Sequence, residues 1–223
     1  MALSIQPRWR RRPEERPSQI VDAALDVFAE RGLAGARLDD IARQAGVAKG
    51  TIYSYFPNKE ALFQAVVRQT VVSQIESGER DFESARTSAA ESLERHMRRH
   101  WQFIRSPKFA PLFRLIHAEL PKYPDLARFY GEEVVTRGHR LLASIIRRGI
   151  DCGEFRDVDP FVAARMLSAP LVLHGIWCQH REAFTWVARK TDDEVFAEIM
   201  EYTLSVLSAS PAPTRRARGD KSR

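Results

Sequence analysis

Few residues in this 223-residue chain are spaced for chemistry. Two pairs qualify: His96 with His100, and His174 with Cys178, each four apart, so that on a helix both side chains share one face. An i,i+4 His–His or His–Cys pair can supply two ligands to zinc. A zinc site takes at least three protein ligands with supporting outer contacts, and no third donor stands at ligand spacing. Cys178 beside His174 also has the composition of a nucleophile and its base. Neither a nucleophile elbow nor an oxyanion-hole motif accompanies it. The two cysteines, Cys152 and Cys178, form neither a close-spaced metal motif nor a disulfide framework and read as free thiols. The expectation is a chain without catalysis, metal or cofactor.

The elements around these pairs are helical throughout. Apolar residues repeat at three and four, the breaks are helix-boundary residues, and no alternating strand pattern occurs. The fold class predicted is all-α. The most informative stretch lies elsewhere, at Leu38 to Phe63. Leu38, Ile41, Ala42 and Ala45 form one short amphipathic segment, Gly46 marks a turn, and Ile52 and Phe56 line a second segment. With Ile52 and Phe56 facing the core, Gly50 and Ser54 lie opposite, flanked by Thr51 and Tyr53. That outward face is small and polar. It suits entry into a major groove about 12 Å wide, where a short residue lets the backbone approach base edges. Pro57 ends this helix and Asn58 caps the next.

Gly46 to Leu62 resembles the signature of the TetR family of one-component repressors, approximately Gly-Val-Ser-Lys-Gly-Thr-Leu-Tyr-x-Tyr-Phe-x-x-Lys-Glu-x-Leu. The resemblance covers Ser18 to about Phe63. It implies that Lys49, Gly50, Thr51 and Tyr53 face DNA bases or phosphates, and that Tyr55 and Lys59 hold the DNA backbone. Two positions depart from the pattern. Arg37 stands where the family places Ser or Thr, so it would hold a phosphate by charge, with Asp40 keeping the other half of a capping box. Ala48 replaces the turn serine, which removes a side-chain cap contributing about 1 kcal/mol. Asp39 sits near the groove edge and would repel phosphate.

The net charge of +6 is carried by the ends. Residues 1 to 17 hold five arginines against two glutamates and are broken by Pro7, Pro13 and Pro17. They read as a flexible basic arm; residues 209 to 223 read as a disordered basic tail. No run approaches the roughly 20 apolar residues of a membrane span, so no membrane partner and a cytoplasmic location are expected.

Between the ends, residues 18–63 are predicted to form a three-helix, helix-turn-helix DNA-binding domain, and residues 64–208 a helical effector-binding and dimerisation domain. The fourth helix should run from Asn58 to near Ser77-Gly78. Trp101, Phe103, Phe113, His117, Phe129, Tyr130, His139, His174 and Trp177 are the candidate wall of an effector pocket, which the resemblance places among the middle helices. Asp159-Pro160 starts the penultimate helix, which carries two apolar stripes. One comprises Phe161, Ala164, Ser168, Leu171, Gly175 and Cys178, the other Val162, Met166, Ala169, Leu173 and Ile176. The first stripe, with Ile199, Thr203 and Val206 of a last helix capped by Thr191, is the predicted homodimer interface. The resemblance then implies a ligand-responsive regulator, released from a pseudo-palindromic double-stranded operator by a small molecule. Two other readings are a helical small-molecule enzyme and an effector-independent architectural DNA-binding protein.

Overall fold

The structure, a computed structural model, describes residues 16–209, so all but the first residue of the basic tail and all but the last two residues of the arm lie outside the described residues. Helix α1 spans Arg16–Gly35, α2 Leu38–Gln44 and α3 Lys49–Tyr55. The chain continues through α4 (Lys59–Val67), α5 (Ser73–Ser84), α6 (Ala89–Ile104), α7 (Phe109–Glu119) and α8 (Pro124–Tyr130). Helices α9 (Arg137–Asp151), α10 (Pro160–Cys178) and α11 (Asp192–Leu207) complete the described residues. Helix α1 starts two residues before Ser18, with Pro17 in its first turn, where a missing N–H leaves no bond unmade. Gly32 interrupts it at φ 68°, and Gly46 makes the turn between α2 and α3 at φ 66°. Both angles are left-handed, the region that glycine enters without a Cβ penalty.

The expected caps form. Asn58 accepts from the Ala61 N–H at 2.7 Å, and Asp159 accepts from the N–H groups of Phe161 and Val162 at 2.8 and 3.0 Å. Thr191 and Glu194 close a capping box on α11. The capping box expected at α2 does not form. Arg37 makes no side-chain cap, and the Asp40 carboxylate instead takes Arg31 at 2.6 Å and Arg43 at 3.1 Å.

Helices α4 and α5 are one rod. A π-helical turn, Arg68–Val72, joins them, and the rod ends at Ser84 rather than at Ser77-Gly78. Gly78 is buried within it, where an added Cβ would lie 2.9 Å from Leu141 Cδ2. Its bareness serves helix packing, not termination. A second π-helical turn, Gly131–Thr136, joins α8 to α9.

Two apolar cores result. The first gathers Ile20, Phe28, Leu33, Ile41, Ile52 and Phe63 from α1–α4 with Leu112, Leu115 and Ile116 from α7, so the packing of the first domain runs past Phe63 into the body. The second joins Leu93, Met97 and Trp101 of α6 to Ile145, Leu171, Phe196 and Met200 of α9–α11. Phe103 touches both. The connector before α10 is tied down by Glu154, whose carboxylate accepts from the first N–H groups of α6, Ala89 and Ala90, at 3.0 and 3.1 Å.

Helix α10 corrects one expectation. At 19 residues and a mean hydropathy of 1.4 it is long and apolar enough to cross a membrane by length and composition, although it packs on α6 and α9. Only 28% of that window is buried.

Candidate nucleic-acid interface

Ile52 anchors α3: it is fully buried in the first core, where α3 packs on α2, which turns the opposite side outward. Lys49, Gly50, Tyr53, Ser54 and Tyr55 are exposed there, and Thr51 is half-buried. An added Cβ on Gly50 would meet nothing within 4 Å. The fold does not require a glycine there; a surface approaching from outside would. Ser54 Oγ donates to the Thr51 carbonyl at 2.7 Å, so its hydroxyl proton is spent within the helix while its lone pairs face out.

Charge on this face is organised around Asp39. Lys49 Nζ lies 2.7 Å from Asp39 Oδ2 and 5.9 Å from the centroid of the Tyr53 ring. The hydrogen bond from Lys49 holds the Asp39 carboxyl below its ordinary range and, reciprocally, holds the Lys49 ammonium above its own. Asp39, read from sequence as a phosphate repellent, is therefore the resting partner of Lys49. A polyanion must take the ammonium from it. Arg37 is exposed beside them at the start of α2, in no ion pair among the described residues. Lys59 donates to the Ala34 carbonyl at 3.0 Å, tying the first turn of α4 to the end of α1. It stands at the edge of the face rather than on it.

The structure brings only part of the expected effector wall together. Trp101 is 2% exposed and stacks on His174 with ring centroids 5.0 Å apart, both inside the second core. Phe113 meets exposed His117 in a tilted contact, ring centroids 3.9 Å apart. His139 Nε2 lies 3.1 Å from Ser168 Oγ, Trp177 meets Trp186 edge-on at 4.9 Å, and Phe129 lies under the Arg68 guanidinium at 4.7 Å beside half-buried Tyr130. Phe103, Phe109, Phe113 and His117 form one run, with successive ring centroids 5.8, 5.5 and 3.9 Å apart, whereas His139 and Trp177 have other partners. Phe103 does line a cleft of about 300 Å³ between the α4–α5 rod and α6, with Gln69, Thr70, Gln74, Arg99, Gln102, Ser106 and Lys108. These lining residues are mostly polar, unlike the aromatic wall expected from sequence. The signal for them was glutamines on helix faces that otherwise bury apolar groups.

The predicted interface stripe faces inward. Ala164 and Leu171 are fully buried, Thr203 is 2% exposed, and a side chain on Gly175 would overlap Ile104 and Phe109. Ser168 is engaged with His139, and Ile199 packs half-buried against the second core. Phe161 alone of that stripe is largely exposed, and Val206 is half-buried. The other stripe is the outward one: Val162, Met166 and Leu173 are 51, 66 and 43% exposed, and Tyr202 of α11 is 70% exposed. The neighbours supplied by α6 and α7 decide the matter, and they close on the stripe that holds Ser168 and Gly175, the less apolar of the two. Cys178 and His174 meet as predicted, Sγ 3.2 Å from Nε2, and the fold adds Asp192 to them.

Fold and site together define a helix-turn-helix DNA-binding protein with a helical regulatory body. The family described as "Bacterial regulatory proteins, tetR family" matches residues 20–66, and "Tetracyclin repressor-like, C-terminal domain" matches residues 85–195. The chain is 31% identical over 157 residues to the fatty acid metabolism regulator protein of Bacillus subtilis, spanning 69% of this chain and 79% of that protein. It is 54% identical over 50 residues to the transcriptional regulator RutR of Escherichia coli, 22% of this chain and 24% of that one. Among solved structures, FadR of Bacillus subtilis in complex with stearoyl-CoA aligns with a TM-score of 0.69 at 26% identity, covering 85% of this chain and 98% of that one. FadR of Bacillus halodurans aligns with a TM-score of 0.68 at 25% identity, covering 88 and 97%. The chain belongs to the TetR family, and it is a ligand-responsive DNA-binding transcriptional regulator.

Proposed function

We propose that this regulator is a cytoplasmic, non-enzymatic homodimeric repressor that holds a two-fold symmetric operator with its paired α3 helices. It lets go when a small molecule enters the cleft between the α4–α5 rod and α6. The observation that carries this reading is the double hold on Asp22 of α1. Gln69 Nε2 reaches its Oδ1 at 3.2 Å and Lys108 Nζ reaches the same oxygen at 2.8 Å, and both donors line the 300 Å³ cleft. A ligand that recruits Lys108 or Gln69 removes an exposed tie, worth about 0.2–1 kcal/mol, between the cleft and α1, the helix against which α2 and α4 pack. No flexible linker absorbs the change, since α4 continues through the π-helical turn into α5.

The cleft's chemistry favours an anionic effector. Lys108, paired with Asp22, and Arg99, paired with Asp81, supply charge that an anion would have to compete for, three glutamines supply amide donors, and Phe103 supplies apolar contact. Acyl thioesters are the first compounds to try, since a relative's structure holds stearoyl-CoA. The outward stripe Val162, Met166, Ala169 and Leu173 supports dimerisation: a contiguous apolar face calls for a cover, and a second copy supplies one by two-fold symmetry.

Calorimetry with acyl-CoA thioesters and free carboxylates, with and without promoter duplex, tests the reading. Coupling of about 1–3 kcal/mol predicts that ligand weakens operator affinity roughly 5- to 150-fold and that operator weakens ligand affinity by the same factor. Lys108→Met should shrink that factor. Equal ligand affinities in both titrations would overturn the release mechanism.

A further inference from the structure

The junction of α10 and α11 holds a cluster that repression does not use. His174 and Cys178 stand one turn apart at the end of α10, with Sγ 3.2 Å from Nε2. Asp192, the first residue of α11, brings Oδ1 to 3.9 Å from the same nitrogen, and the three donor atoms all lie within 4.8 Å of one another. A tetrahedral ion with bonds of about 2.0 Å to nitrogen and oxygen and about 2.3 Å to sulfur spaces its ligands about 3.3 to 3.6 Å apart. The two separations from Nε2 straddle that range, and a carboxylate rotation can close the third edge.

The surroundings are those of a held site rather than a chance meeting. His174 is buried, and its ring stacks on the Trp101 indole at 5.0 Å and 26°, so the imidazole plane is set before any ion arrives. Arg105 Nη2 holds the other carboxylate oxygen, Oδ2, at 2.8 Å, as outer contacts orient metal-ligating carboxylates. A cation already bridges two of the three donors. Arg181 Nη2 lies 2.5 Å from Asp192 Oδ1 and 3.3 Å from Cys178 Sγ. Its side chain is 39% exposed, at the start of the connection to α11, which leaves it free to turn into solvent.

We propose that His174 Nε2, Cys178 Sγ and Asp192 Oδ1 form a three-ligand site for a divalent transition ion of the zinc class, with Arg181 as the built-in competing cation. Mixed nitrogen, sulfur and oxygen donors select such ions over magnesium or calcium. The exchange balances charge: the ion brings two positive charges, the thiol releases one proton to solvent, and the departing guanidinium removes one. Three protein ligands leave a fourth position for water or a small molecule. The ion would pin the first turn of α11 to the last turn of α10, the two helices that bear the outward apolar residues.

Cobalt(II) is the probe. The full-length protein, stripped with EDTA and kept reduced, is titrated with Co2+ while absorbance and proton release are followed. The result expected is one Co2+ per chain, a thiolate-to-metal charge-transfer band, tetrahedral d–d bands and one proton released. Cys178→Ser should lose the charge-transfer band and Cys152→Ser should keep it. Arg181→Gln should bind Co2+ about tenfold more tightly, the factor for removing one charge-assisted contact that competes with the ion. Circular dichroism confirms that each variant is folded. A missing band, a band that survives Cys178→Ser or disappears in Cys152→Ser, or weaker binding by Arg181→Gln would overturn the site.

Discussion

Replacing Gly50 by leucine should separate recognition from folding. No atom lies within 4 Å of the position a Cβ would take, so the larger side chain meets nothing in the chain. Helix propensity even favours it: removing a glycine from a helix contributes up to about 1 kcal/mol, less in a first turn such as this one. A gain of that size raises the melting temperature by about 2–4 °C in a chain of this length. The DNA side has no such room. A helix with its side chains is about 10–12 Å across and the major groove about 12 Å wide, so an added leucine on the leading face holds the backbone away from the base edges. Losing the equivalent of one base-pair contact costs about 1–3 kcal/mol. Two half-sites make that about 2–6 kcal/mol, or roughly 30-fold to 10⁴-fold in affinity. Fluorescence anisotropy on a promoter duplex at fixed salt reads the second effect and calorimetric melting the first. Unchanged affinity with an unchanged melting temperature would refute the orientation assigned to α3; a lowered melting temperature would place Gly50 against the core.

Other expectations follow from the body. Partial desolvation of half-buried His96 and His100 holds them down to about 3 and about 4, with the neighbouring His100 and Arg99, and His139, respectively, adding repulsion. The unfolded chain, with ordinary histidines near 6.5, therefore binds more protons below that pH. Stability should fall by about 1.4 kcal/mol per histidine for each pH unit between 6.5 and 4. Melting at pH 7.5 and 5.5 should show the loss, and His96→Gln or His100→Gln should reduce it; identical losses would mean that both imidazoles are protonated in the fold. The double change Met166→Asp and Leu173→Asp should give a folded monomer in sedimentation, whereas a persistent dimer would move the interface off this stripe. Gly149→Ala drives a methyl into the Phe155 ring and should cost about 1–3 kcal/mol in urea unfolding; no loss would show that the connector yields.

What the sequence shows and what it hides divide along the range of the interactions. Gly46, Asn58, Asp159 and the Thr191–Glu194 box are local devices, decided within four residues, and each acts in the structure as its residue type dictates. The outward face of α3 was legible because burying Ile52 settles where Gly50 and Ser54 must point. Gly78 misled because a glycine that ends a helix and one that admits Leu141 look alike in one dimension. Apolar content misleads on α10, since the more apolar stripe faces out; Ile104 and Phe109, closing on Gly175 from α6 and α7, decide which faces in. Asp192 joins His174 and Cys178 across a connection that no spacing rule reads, and the same holds for Lys108 and Gln69 meeting on Asp22.

Selection of bound duplexes from a random pool, with sedimentation of the purified complex, tests recognition by paired α3 helices most directly. The expected result is a two-fold symmetric consensus, its half-sites about one helical turn apart or a multiple of it, carrying an even number of chains and lost with Gly50→Leu. No enriched sequence, or an asymmetric site held by a single chain, would contradict it.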